Sequence, residues 1–103
     1  MKLIWHGSAK AGRRQVATYI RREFGIKRVK VFQQEVDDTV KQLMRSPGIG
    51  QIDPLYADRT LTYRSVIING LNKLVYRIDE DIIHIVDFWD TRREPKSQAS
   101  QIE

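Results

Sequence analysis

The sequence contains no cysteine, which removes disulfides, thiolate metal sites and cysteine nucleophiles together. Histidine is almost missing as well. His6 and His84 stand far apart in the chain, no carboxylates are paired at a ligand spacing, and neither a metal nor a cofactor is expected. No apolar run approaches the length that crosses a bilayer, and the opening MKLIW passes straight into a polar, basic segment instead of a signal-peptide core. A cytoplasmic protein with no membrane partner is the expectation. Acidic residues are in deficit, 13 against 18 Lys and Arg, and the resulting charge of +5 favours an anionic partner. What is present is ordinary: 103 residues, 41% hydrophobic and 30% charged, suit one small folded domain and exclude a disordered chain.

Residues 2–6 read as a short strand, because Leu3, Ile4 and Trp5 form an apolar run closed by Gly7 and Ser8, with Ser8 as the natural N-cap of a helix. Val16, Ile20 and Phe24 recur every four residues, which predicts that helix over 9–24, ended by Gly25. Phe32, Val36, Val40, Leu43 and Met44 predict a second helix over 27–45, so the two form a hairpin. Pro47, Gly48, Gly50 and Pro54 then enforce a loop. The period changes to that of strands over 61–68, 71–78 and 82–89, with Asn69-Gly70 as a tight hairpin turn. The pattern implies an α+β fold, in which an N-terminal strand and a helical hairpin pack on one face of a mostly antiparallel four-stranded sheet. Strand alternation sends Leu74, Tyr76 and Ile78 into that core and puts Lys73, Val75 and Arg77 on an open opposite face. A single domain over 1–95 and a flexible tail over 96–103, where only Ala99 and Ile102 are apolar, complete the layout.

Four segments, MKLIW, SPGIG, NKLVYRIDEDIIHIV and WDTRREP, occur in an order and spacing that resembles the RelE/ParE superfamily of type II toxin–antitoxin modules. The resemblance implies a basic toxin that arrests growth when free, and a small, acidic cognate antitoxin that wraps over it. It also implies one of two targets. RelE-like members cut messenger RNA on the ribosome without a metal, whereas ParE-like members poison DNA gyrase, and fold alone does not separate them.

For the nuclease reading, the resemblance assigns Arg64, Lys73 and the Arg92-Arg93 pair to phosphate binding, with Arg64, Lys73 and Arg93 beside His84 or Asp90 as the catalytic set. Asp87 and Tyr76 are further proton-transfer candidates, although alternation puts Tyr76 in the core and groups His84 with Val86 and Phe88. Asp90 has a second role open to it as the ion-pair partner that orients Arg92. Two departures tell against cleavage. Residues 94–103 lack the Tyr or His that RelE-like nucleases carry near their end, and Val66 stands where those enzymes tend to place a cation. The R-R-E-P ending resembles the ParE branch, which favours a toxin that acts by binding. Arg13, Arg14 and Arg21 on the first helix, with Arg77, Trp89 and Arg92, are then the candidate contacts to target or nucleic acid. An inactive nucleic-acid-binding or scaffold member of the fold is the remaining alternative.

Overall fold

The computed structural model describes residues 1–92. Arg93, the Glu94-Pro95 segment and the expected tail lie outside them. The elements are β1 (Lys2–Trp5), α1 (Gly7–Phe24), α2 (Ile26–Arg45), β2 (Gln51–Ile52), β3 (Arg64–Ile68), β4 (Asn72–Asp79) and β5 (Ile82–Asp90). Gly25 separates the helices at φ +91°, a backbone value that L side chains avoid. At the β3–β4 turn Asn69 and Gly70 both take positive φ, +56° and +69°, as a primed turn requires. Ser8 does not cap α1. The helix begins at Gly7, with His6 at the cap position, and the Ser8 hydroxyl instead donates to Asp87 Oδ1 at 3.1 Å.

The sheet has five strands in the order β1-β5-β4-β3-β2, one more than expected. The extra strand, β2, has only two residues and pairs with the outer edge of β3, too short a run to leave a periodic signal. β1 runs parallel to β5 and every other pairing is antiparallel. This is the mostly antiparallel α+β architecture expected.

The helical hairpin covers one face. Ala9, Phe32, Val36 and Leu43 bury against Leu74, Tyr76, Ile83, Ile85 and Phe88. Gly12 makes the closest approach possible: a Cβ there would stand 1.8 Å from the Phe88 carbonyl oxygen. Ile78, placed in this core by alternation, sits near the strand end and is 39% exposed.

The opposite face is not open along its whole length. The segment after β2 folds back over it, so that Tyr56 and Tyr63 bury against Val75, Val86 and Trp89 as a second, smaller cluster. An irregularity in β5 helps to divide the two clusters. Val75 pairs with Asp87 and Tyr76 with Ile85, leaving Val86 as an extra residue. Beyond it the alternation is inverted: Val86 belongs to the smaller cluster and Phe88 to the helix side, so His84, Val86 and Phe88 do not share a face.

Candidate functional site

Strand register disperses the cations expected to form one electrostatic site. Arg64 is the register partner of Tyr76 and shares the helix side of the sheet, whereas Lys73 stands opposite Trp89 on the far side. Arg64 Nη1 donates to the Gly50 carbonyl at 2.8 Å, which ties β3 to the loop after α2. Lys73 Nζ lies 2.6 Å from Asp53 Oδ2, whose side chain is 0% exposed, and 5.3 Å from the centre of the Trp89 ring. Its charge therefore neutralises a buried carboxylate inside the protein. Trp89 is itself 1% exposed, which corrects its expected role as a ligand contact. Arg92 Nε donates to Asp90 Oδ1 at 2.9 Å, the orienting ion pair expected of Asp90, and this bond holds the guanidinium pKa above its ordinary value. Arg93 lies outside the described residues.

Two of the proton-transfer candidates have structural partners. The Tyr76 hydroxyl donates to the Pro47 carbonyl at 2.6 Å and accepts from Gly50 N at 2.9 Å, closing the loop over the end of the core. Burial raises its pKa. Asp87 is fully buried and its Oδ1 accepts from Ser8 Oγ and from Phe88 N, so it holds the start of α1 against β5.

His84 is different. Parallel pairing of β1 with β5 carries His6 across to it, and His6 Nε2 lies 2.8 Å from His84 Nδ1. Arg77 is the register partner of His84, and Asp79 Oδ2 stands 4.0 Å from His84 Nε2 and 3.9 Å from Arg77 Nη1. Burial first, then the charge of His84 and that of Arg77, depresses the His6 pKa. The sequence treats the two histidines as unrelated. Folded, they are in contact, yet among the described residues no third His, Cys, Asp or Glu completes a metal-binding group. The cluster can hold one proton between two imidazoles beside a fixed cation.

The helical cations make a third arrangement. Lys10, Arg13, Arg14 and Arg21 on α1, with Gln33 on α2 and Trp5 on β1, line a cleft of about 550 Å³. Arg13 Nε donates to Gln33 Oε1 at 2.8 Å, its Nη2 bonds Asp37 at 3.0 Å, and its guanidinium lies 5.0 Å above the Trp5 ring. The structure thus brings Arg13, Arg14 and Arg21 together, as their spacing implies, and separates them from Arg64, Lys73, Arg77 and Arg92. The sequence offers His6 only as the end of the first strand, and Asp53 and Gln33 not as site residues at all. Asp53 left a trace there, as an Asp directly before a proline, and its Oδ1 does cap the following turn by accepting from Leu55 N.

A family model described as "ParE toxin of type II toxin-antitoxin system, parDE" matches residues 3–95. No curated protein matches the sequence. Among solved structures, the chain resembles a chromosomal ParDE toxin–antitoxin system from P. aeruginosa, with 18% identity, a TM-score of 0.70, and coverage of 87% of this chain and 95% of that one. It also resembles the YoeB dimer from Staphylococcus aureus, with 22% identity, a TM-score of 0.56, and coverage of 84% and 92%. At these identities the two structures establish the fold.

Proposed function

Because the chain belongs to the ParE toxin family, matched over residues 3–95, we propose that this type II toxin arrests growth by binding and poisoning DNA gyrase. Family membership also gives it a cognate antitoxin as partner. An antitoxin of net negative charge would complement the +5 of the toxin.

The observation that carries the binding reading is the separation of Arg64 from Lys73. Metal-independent cleavage of RNA needs cations converging on one phosphate, with proton donors and acceptors within hydrogen-bond reach of the same point. Here one cation is on each face of the sheet, and Lys73 is already engaged by Asp53. The acid–base pair nearest to Arg77 is His6 and His84; Arg64 stands one register step away but on the helix side of the sheet, and Arg92 follows the far end of β5. Binding places no such demand on convergence, because separate surface groups can each contribute.

The test uses toxin released from its antitoxin, purified gyrase and a plasmid substrate. Loss of supercoiling together with trapped, protein-linked double-strand breaks is expected at near-stoichiometric toxin. Unimpaired gyrase, with messenger cleaved on translating ribosomes by the same preparation, would overturn the reading in favour of the RelE-like mechanism.

A further inference from the structure

The cleft between α1 and α2 has a chemistry that target poisoning does not account for. Lys10, Arg14, Ala17 and Arg21 succeed one another at steps of four, three and four residues, so they share one face of α1. At a rise of 1.5 Å per residue the cations extend along about 16 Å. All three are exposed, and none has an acidic partner among the described residues. Ala17 and Thr18 lie between Arg14 and Arg21 on the α1 wall, and Trp5, Arg13, Val29 and Gln33 complete the lining. Among the described residues no carboxylate lines the cleft. Asp37, on α2, is occupied by Arg13, which is also gripped by Gln33 and by the Trp5 ring.

We propose that this cleft is a binding site for the phosphate backbone of a nucleic-acid strand. The inference goes beyond the gyrase reading and stands on the cleft alone. Three uncompensated cations held along one line repel each other, and each gains from an anion placed between them. A stretch of about 16 Å spans roughly five phosphates of one duplex strand, which carry one charge every 3.4 Å or so along the axis. One further observation bears on how a strand would be recognised. Trp5, half-buried in the cleft wall, packs on Phe88 with ring centroids 6.4 Å apart, and the Arg13 guanidinium already lies over its ring at 5.0 Å, the place a stacked base would take. Recognition is then by charge and spacing, without regard to base sequence.

The test is fluorescence anisotropy of the free toxin with a short labelled single strand and with its duplex, titrated between about 50 and 200 mM salt. Three phosphate contacts predict a slope of log affinity against log salt of about −2.7 for duplex and about −2.1 for a single strand. Duplex affinity should then fall roughly 40-fold over that range. Arg14→Gln combined with Arg21→Gln should flatten the duplex slope by about 1.8. Lys41→Gln combined with Arg45→Gln removes the same net charge from exposed positions of α2 outside the cleft, and should leave the slope close to that of the parent. All four positions are exposed, and equal melting temperatures would exclude lost folding as the cause of lost binding. The proposal is overturned by the absence of binding at low salt, or by equal weakening in both double variants, which would reduce the effect to net charge. Displacement of the labelled DNA by polyglutamate at matched charge would also overturn it, in favour of an acidic protein partner.

Discussion

Lys73 illustrates how one residue can carry two readings that only burial separates. In a strand facing solvent a lysine is a phosphate ligand in waiting; against an Asp53 side chain with no exposure it is a counter-ion. Replacing it with methionine would leave that carboxylate buried and unpaired, a loss of about 3–5 kcal/mol. Denaturant titration of Lys73→Met should show this, and the double variant with Asp53→Asn should recover a large part of it, because the charge that suffers is then gone. The His6–His84 contact carries a pH prediction. Of the two facing nitrogens one must donate and the other accept, so the contact tolerates a charge on one ring but not on both. His6 is depressed in the folded state from its ordinary 6.5, so the unfolded chain binds more protons just below that pH. Its contribution to stability is therefore complete above pH 6.5 and declines as pH falls through the window beneath it. Melting curves from pH 8 down to pH 5 should show the decline in the parent and a shallower one in His6→Asn, after allowance for carboxylates that titrate lower. Arg77 on β4 adds to burial in opposing a charge on His6.

At the scale of elements, the packing of α1 on β5 depends on the absence of a side chain at Gly12. Alanine there would improve helix propensity by roughly 1 kcal/mol. The approach of 1.8 Å to a backbone oxygen puts the strain at or above the upper end of the about 1–3 kcal/mol typical of overpacking, and strain should win. Gly12→Ala should therefore lower the denaturant midpoint, opposite to what propensity alone predicts. The loop after α2 depends on Tyr76 in a similar way. Tyr76→Phe would leave Gly50 N and the Pro47 carbonyl without their shared hydroxyl, a loss of about 1–3 kcal/mol where the donor is buried. Hydrogen exchange at Gly50 N should quicken in that variant before the amides of β4 and β5 are affected.

For the molecule as a whole, expression without an antitoxin should depress thymidine incorporation before amino-acid incorporation if gyrase is the target; the reverse order would indicate the ribosome. Much of this protein was legible before folding. Helical and strand periods, the Asn69-Gly70 turn and the glycine after Phe24 are local effects, decided within a few residues by side-chain period and by φ, so the hairpin, the three long strands and the helix-side core could be read directly. The charge stripe on α1 arises from spacing along one helix for the same reason. Other features depend on contacts between distant residues, and no local rule reaches them. The parallel pairing of β1 with β5 brings His6 to His84 across a separation of 78 residues. The irregularity at Val86 inverts which side chains face the helices, because one extra residue shifts a two-residue period. The return of the segment carrying Asp53, Tyr56 and Tyr63 over the far face turns Lys73 inward and hides Trp89. The sequence by itself determined the elements, the helix-side core and the basic character of the chain. Tertiary structure alone decided which cations remain available to a partner, since availability depends on what the rest of the chain has already placed beside each charge.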